Sequence, residues 1–436
     1  MLPTLRGILF LLLAAPLMAL ATWLPVFKWL AWGYIVVALI VFGLDWRFSG
    51  PVTRFDVRRI HEPRLSLGAE NPIRLEIHNR TARLINFEVR DEAPEQFQIE
   101  TRTLQGQANP RSTWRGQYHV RPLRRGDYHF GDLHLRWRSP LGLLLRQGRI
   151  PATEQVKVFP NLLDVRRYDL LLRRNRLQEM GLRHSRMFGE GTEFERMREY
   201  LPDDEFRRIN WKASARRRRP VTMEYQTERS QNVIAVIDCG RMMQSPVADI
   251  AKLDYVVNAS LFLSYVATGK GDRVGMMTFA DSVMHYLSPK QGRGQFYRML
   301  EVLYAVEPQP VEPDYRRAMS YLAVKQRRRS LVIVFTDLSS GTSMNALVGQ
   351  VSLLARSNLT LVVTISDPDV YASAHQKPQT SQNVYERAAA AQLLDERRIT
   401  IETLQRRGVL TLDVPANQLS IAVINRYLEL KGRMQL

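Results

Sequence analysis

Two apolar runs open the chain. Leu5 to Leu24 is almost wholly hydrophobic, and Val26 to Leu44 is interrupted only by Lys28. Each is close to the roughly 20 residues that cross a hydrocarbon layer as a helix. The pattern predicts a transmembrane helical hairpin over residues 1–50, with Pro25 and Lys28 near its turn. Trp23, Trp29, Trp32 and Trp46 are candidate anchors at the membrane–water interface. A cleaved signal peptide competes for the first run. Arg6 is its only basic leader, no clear small-residue cleavage site follows, and a second apolar run begins at once.

The period then changes. Apolar and polar side chains alternate over Ile73–His78, in part over His129–Arg138, and again over Val156–Phe159, as in half-buried strands. Asn71-Pro72, Asn109-Pro110, Arg125-Gly126-Asp127 and Ser139-Pro140 read as turns between them. Residues 51–160 are therefore expected to form a small antiparallel β-sandwich of immunoglobulin-like outline. The scattered histidines, His61, His78, His119, His129 and His134, read as structural rather than metal-binding. His129 and His134 fall on opposite faces of a strand of period two.

From Asn232 onward short apolar runs alternate with amphipathic ones. Strands are expected at 233–238, 273–279, 283–287, 330–336, 359–365 and 410–414. Helices are expected near 252–267, 295–304, 314–325, 345–355, 383–407 and 418–430. Such alternation makes residues 231–436 an α/β domain, its largely parallel sheet covered on both faces. Asp238 and Asp337 then fall at the carboxyl ends of two core strands, the edge where open α/β sheets bind ligands.

Residues 161–230 join these domains. A short amphipathic helix running into a basic loop is expected over Leu162–Met187. From Gly189 to Arg229 the chain is polar with little periodicity of either kind. Acids (Glu199, Asp203, Asp204, Glu205) alternate there with Arg198, Arg207, Arg208 and Lys212. That mixture suits a folded ion-pair network, with Asp204, Arg207 and Lys212 setting the loop and Trp211 buried as its anchor. The competing account is a solvated basic linker.

Composition sharpens the picture. The chain has 436 residues, too many for one ordinary core, with a formal net charge of +19 and a pI of about 10.3. So basic a chain is drawn to polyanions: nucleic-acid phosphates or an anionic leaflet. Arg47, Arg54, Arg58 and Arg59 follow the second apolar run, which puts the C-terminal bulk on the cytoplasmic side of the inner membrane. One cysteine, Cys239, excludes an internal disulfide and any cysteine-rich zinc site.

Arg198-Glu199-Tyr200, Pro202, Asp204, Arg207, Ile209-Asn210-Trp211-Lys212, Ala215 and Arg216 resemble the signature of the membrane-anchored "domain of unknown function 58" family. Arg124 to Tyr128 and Ser139 to Leu143 extend the likeness upstream. Asp203 stands where that family usually has Gly, a turn position whose positive φ Asp tolerates better than most residues. The resemblance implies a partner, a MoxR-type AAA+ ATPase, and chaperone-like assembly or maturation of other complexes. The last domain also resembles a von Willebrand factor A domain, whose metal-dependent adhesion site uses D-x-S-x-S, a Thr and a later Asp. Here Gly240 and Met242 replace both hydroxyl ligands, Arg241 adds a positive charge, and Asp337 stands for the later Asp. Two carboxylates supply too few of magnesium's six oxygen partners, so the site reads as degenerate and no cofactor is expected.

No enzyme class is signalled. Cys239 has no His near it in sequence, Asp203-Asp204-Glu205 is an ordinary acidic turn, and Gln291-Gly292-Arg293-Gly294 lacks the Lys-Ser/Thr ending of a phosphate loop. Arg216–Arg219 and Arg327–Arg329 would suit phosphates, but no stacking aromatics are interleaved with them, and no nucleic-acid partner is expected. The expectation is a membrane-anchored protein-interaction module. Its signature residues are Arg198, Glu199, Tyr200, Asp204, Arg207, Asn210, Trp211, Lys212 and Arg216. The alternatives are a metal-dependent adhesion module using Asp238 and Asp337, a nucleic-acid binder, or a signature that merely clamps two domains together.

Overall fold

A computed structural model describes residues 2–20, 22–24, 26–161, 193–201, 206, 209–226, 230–338 and 344–432. The chain divides into two units, Met1–Phe159 and Pro160–Leu436. The helix expected over Leu162–Met187 lies outside the described residues.

In the first unit the apolar start corrects the expected hairpin of two spanning helices. One helix, α3 (Val26–Ser49), is long and apolar enough to cross a membrane, with a mean hydropathy of 1.9. A helix so near the N-terminus suits a membrane anchor or a signal sequence equally. The preceding run folds as two short helices, α1 (Leu5–Leu12) and α2 (Ala14–Leu20). Pro16 explains the break: it has no N–H for the carbonyl of Leu12, and its ring crowds that carbonyl.

The ends of this apolar segment are tied to the turn over Ser139–Leu143. Asp45, buried near the end of α3, accepts from Ser139 Oγ at 2.5 Å and from the Leu141 N–H at 2.8 Å. Thr4 Oγ1 donates to the Gly142 carbonyl at 2.6 Å. Gly142 has φ +74°, which the tight turn requires and an L side chain rarely adopts.

Strands β1 (Leu2–Pro3), β2 (Phe55–Ile60), β3 (Arg64–Ser66), β4 (Asn71–Asn79), β5 (Ile85–Asp91) and β6 (Phe97–Ile99) come first. They are followed by β7 (Thr103–Ala108), β8 (Thr113–Pro122), β9 (Gly126–Phe130), β10 (Leu133–Arg138), β11 (Leu144–Ile150) and β12 (Glu154–Phe159). They form sheets of order β1-β11-β10-β5-β7, β2-β4-β8-β6 and β3-β12-β9. Every pairing is antiparallel except β3–β12. Alternation decides which side chains enter the core: in β4, Ile73, Leu75 and Ile77 are buried while Arg74 is exposed.

Arg59 departs from its expected part as a free charge beside the membrane. Its side chain is only 2 % exposed and forks onto Asp91, itself 3 % exposed, with Nε–Oδ2 at 2.8 Å. It also donates to the carbonyls of Ala152 (2.7 Å) and Gly131 (2.9 Å) and lies 4.5 Å from the centre of the Phe130 ring. Tyr118 OH donates to Asp91 at 2.7 Å, and burial, then the Asp91 charge, pushes its phenol pKa well up.

The second unit opens with a hairpin, β13 (Glu193–Glu199) antiparallel to β14 (Val221–Gln226), with helix α4 (Trp211–Arg217) in the connection. This element was expected to lack regular structure. Next come β15 (Asn232–Asp238), a small ladder of β16 (Pro246–Val247) with β17 (Ile250–Ala251), α5 (Lys252–Gly269), β18 (Arg273–Phe279) and β19 (Val283–Lys290). Then follow α6 (Arg293–Ala305), α7 (Tyr315–Lys325), β20 (Leu331–Phe335), α8 (Met344–Leu354) and β21 (Leu359–Ser366). The unit closes with α9 (Pro368–His375), α10 (Ser381–Arg406), β22 (Leu410–Pro415) and α11 (Leu419–Gly432).

Six strands make one sheet in the order β19-β18-β15-β20-β21-β22, parallel throughout except for the β18–β19 edge hairpin. Helices α7 and α8 cover one face, packing on Ile234, Val236, Val332 and Val334. On the other face α5 packs with α6 and α11. The central strands are buried on both faces, which is why they read as continuous apolar runs.

Removing the Arg59 side chain strands the Asp91 carboxylate away from water. Arg59→Ala is expected to cost about 3–5 kcal/mol, whereas Arg58→Ala, on an exposed side chain, costs under about 1 kcal/mol. Denaturant unfolding followed by the fluorescence of the buried Trp137 checks the difference.

Candidate functional site

Two places hold the expected site residues: the carboxyl edge of the six-stranded sheet and the hairpin with α4. At the sheet edge, β15 ends in Asp238, and β20 leads directly into Thr336 and Asp337. Asp238 Oδ1 accepts from the Gly240 N–H at 2.7 Å; Oδ2 accepts from Thr336 Oγ1 at 2.7 Å and Tyr315 OH at 3.0 Å. Burial raises the Asp238 pKa, and the bonds from Thr336, Gly240 and Tyr315 offset only part of that.

Asp337 is held differently, between two cations. Lys252 Nζ lies 2.7 Å from Oδ2, and an Arg397 guanidinium nitrogen lies 3.3 Å from Oδ1. Lys252 is the first residue of α5 and Arg397 sits within α10. Arg397 also donates to Asp413 Oδ1 (2.8 Å), Thr364 Oγ1 (2.8 Å) and the Ile365 carbonyl (2.8 Å). Burial works against the guanidinium's charge, yet Asp413 and Asp337 outweigh it and its pKa is raised. Beside this cluster is a cavity of about 60 Å³ lined by Lys252, Asp337, Leu338, Tyr371, Leu393 and Arg397.

Asp238 and Asp337, read from the sequence as strand-end carboxylates, thus do hold the loops around them by hydrogen bonds. Their donors were not foreseen. Lys252 had one faint signal: a cation at the first turn of a helix opposes the helix dipole and needs another reason to be there. Arg397 had none, standing among many charged residues of a long helix whose buried residues are only Ala390 and Leu404. The donor set does not fit a six-coordinate divalent ion: Asp337's oxygens face Lys252 and Arg397, and Asp238's face protein N–H and O–H groups. Nor does Gly240 leave room for a hydroxyl ligand, since a Cβ there would lie 2.9 Å from Pro313 Cδ and 3.1 Å from the Val311 carbonyl. Arg241 pairs with Glu312 at 2.6 Å, and the Cys239 thiol is buried.

In the hairpin, Asn210 is the pivot. Its N–H donates to the Val221 carbonyl at 2.9 Å, and its Oδ1 caps α4 by accepting from the Ala213 N–H at 3.0 Å. Ser214 Oγ donates to the Asn210 carbonyl (2.8 Å) and accepts from the Val221 N–H (2.8 Å). Tyr200 N–H donates to the Pro220 carbonyl at 2.9 Å, extending the hairpin, while Asn210 and Ser214 tie α4 to Val221 at the start of β14. Arg198 pairs with Thr222 and Glu199 with Val221 in the strand register. Glu199 also meets Arg219 at 3.5 Å, both side chains well exposed, a contact worth little.

The helix period sorts the rest. Ala213 and Ser214 lie on the half-buried side, whereas Trp211, Lys212, Ala215 and Arg216 share the exposed face. Trp211 was expected to be buried; it is 60 % exposed, because Asn210 and Ser214 take the inward positions. Its ring meets Phe206, 67 % exposed, edge-on at 5.3 Å between centroids. A concavity of about 420 Å³ beside it is lined by Met197, Asn210, Lys212, Ala213, Arg216 and Arg217. Asp204 and Arg207, expected to form ion pairs here, lie outside the described residues.

Residues 196–371 match the family described as "Protein of unknown function DUF58". The chain is 26 % identical over 151 residues to an uncharacterized protein of Mycobacterium tuberculosis and, equally, to one of Mycobacterium bovis. The match covers 34 % of this chain and 48 % of each relative, so the chain spans about half the length of the curated relatives it matches. Among solved structures, the conserved hypothetical protein BatB from Bacteroides thetaiotaomicron aligns with 47 % of this chain and all of its own at a TM-score of 0.30 and 15 % identity. Proximal thread matrix protein 1 from the mussel byssus aligns with 47 % of each chain at a TM-score of 0.28 and 13 % identity. At these scores neither likeness defines the fold.

The two edge carboxylates should respond very unequally to neutralisation. Asp238 holds its proton in the folded chain to a higher pH than its ordinary value of 3.8. Its charge therefore opposes folding above that value, increasingly as pH rises to the folded pKa. At neutral pH Asp238→Asn is expected to cost about 1 kcal/mol or less. Asp337→Asn leaves two buried cations short of a counter-charge and is expected to cost about 3–5 kcal/mol. Urea unfolding of both variants at pH 7 measures the contrast.

Proposed function

We propose that this chain is a membrane-anchored protein-interaction module on the cytoplasmic side, and that the outward face of α4 is where it takes its partner. One observation carries the reading. Trp211, Lys212, Ala215 and Arg216, all part of the signature, share the exposed face of a helix that Asn210 and Ser214 hold in place. Residues needed only for folding would turn inward, as Ile209, Val221 and Thr222 do.

The chemistry of that face names the class of partner. From Phe206 to Arg219 there are seven Lys and Arg and no acid. An exposed aromatic pair within so cationic a stretch of sequence fits an acidic protein surface with an apolar cleft, where Trp and Arg make the largest contributions. The signature's resemblance supplies the candidate, a MoxR-type AAA+ ATPase, with assembly or maturation of other complexes as the joint task. Positive residues after the apolar helix support the cytoplasmic side. On this reading the chain is no enzyme and the α/β domain, of von Willebrand factor A type, is a scaffold. Nucleic acid is disfavoured because the aromatics are a single pair rather than a stacking series.

The test uses the full chain in detergent and a purified MoxR-type ATPase from the same organism. Trp211→Ser is expected to weaken binding about 30-fold or more, and Lys212→Glu with Arg216→Glu to weaken it and flatten its salt dependence. Unchanged affinity in both variants refutes the assignment of the face. A fall in melting temperature with each substitution points instead to an internal clamp, and retained binding to single-stranded DNA to the nucleic-acid reading.

A further inference from the structure

We infer that Lys252 is a built-in counter-ion: its ammonium group takes the place at Asp337 that a divalent cation would need, and the edge is assembled without metal. The inference is independent of what α4 binds.

Three observations carry it. First, Lys252 Nζ lies 2.7 Å from Asp337 Oδ2, and both side chains are buried. Lys252 opens α5, where no side chain caps the helix and a positive charge faces the positive end of the helix dipole. Asp337, not helix preference, accounts for a cation there.

Second, the charges already balance. Lys252 and Arg397 face Asp337 and Asp413, with contacts of 2.7, 3.3 and 2.8 Å. A divalent ion added to this set would lie against two fixed cations, and the further carboxylate lining the cavity, Asp367, caps α9 by accepting from the Asp369 N–H at 3.0 Å.

Third, the neighbouring loop is built around the same arrangement. Asp238 is spent on Gly240, Thr336 and Tyr315, and Tyr315 OH is also 2.8 Å from Thr336 Oγ1. A side chain at residue 240 would collide with Pro313, so the loop cannot offer a hydroxyl at that position without shifting. Lys252 and Arg397 are separated from Asp337 by 85 and 60 residues. One carboxylate therefore joins α5, the end of β20 and α10.

Cys239 gives the test a local reporter. It is the only cysteine, it is 0 % exposed, and it adjoins Asp238. A fluorogenic thiol reagent therefore reads the unfolding of the α/β unit that carries this edge. Full-length protein in detergent is melted with this reagent in millimolar Mg2+, in millimolar Mn2+ and in EDTA. Wild type is expected to melt at one temperature in all three. Lys252→Ala is expected to melt roughly 5–15 °C lower in EDTA and to regain part of that loss in Mn2+ by linkage. Lys252→Met, which keeps the stem and loses the charge, is expected to melt low in every condition. A wild-type protein stabilised by either cation overturns the inference. So does a Lys252→Ala variant that melts like wild type, or one that melts low and ignores Mn2+. Should the Ala variant fail to fold, the wild-type titration and the Met variant still decide.

Discussion

The α/β unit depends on how one buried carboxylate is neutralised. Asp337 stands at the end of a central strand, where the chain turns away from the sheet and its polar groups lose their ladder partners. An ion in such a place costs several kcal/mol unless it is paired and its remaining lone pairs are filled. Lys252 and Arg397 do both. Because these cations come from the start of α5 and the middle of α10, neutralising the charge also fixes two helices against the sheet. Arg397 extends the tie to β22 through Asp413. Helix α10 buries only Ala390 and Leu404, with Ile401 packed against the core, and lies along α9, α8 and β22. Arg397 adds a polar tie to a helix whose apolar stripe is thin.

The same accounting divides the chain's +19 charge into two populations. Some cations are structural: Arg59 on Asp91, Lys252 on Asp337, and Lys431, buried at 2.7 Å from Asp272. Others, such as Lys212 and Arg216, are exposed on the surface. Net charge treats both alike, which is why Arg59 read as a neighbour of the membrane. Only the solvated set is available to steer a partner, and only its contacts weaken with salt.

How much was legible follows from the range of the interactions involved. The strand Arg273–Phe279 stands where its apolar run placed it, and Asp314, expected to open a helix, is that helix's cap. Such features are written locally, as unbroken β-branched runs or a capping side chain ahead of a helical period. Pro16 was legible too, since a proline within an apolar run ends the helix before it. Counting hydrophobic residues outweighed that signal. Trp211 was expected to be buried as the anchor of an ion-pair network, but the facing of a short helix is decided by what its other side bonds to. Here Asn210 and Ser214 claim β14, and the tryptophan turns outward. Pairs such as Lys252–Asp337 and Arg59–Asp91 leave no periodic trace, because neither partner's neighbours differ from those of an ordinary surface charge.

These points bear on where recognition can reside. A metal at a sheet edge binds a partner because its coordination sphere is left open, so that an incoming carboxylate completes it. An ammonium at the end of a side chain has no such vacancy once Asp337 holds it, and its stem keeps it from leaving the protein. A chain that supplies its own cation at that edge gives up the edge as a coordination site and gains a connector that does not depend on ion concentration. On the proposed reading, recognition uses a surface whose charges are not already spent. The outward face of α4 meets that requirement: its backbone is fixed by a cap and a strand, while its tryptophan, lysine and arginine remain open to solvent. A fixed backbone presenting free side chains lowers the entropy lost on docking, which is how a seven-residue helix could serve the proposed interaction.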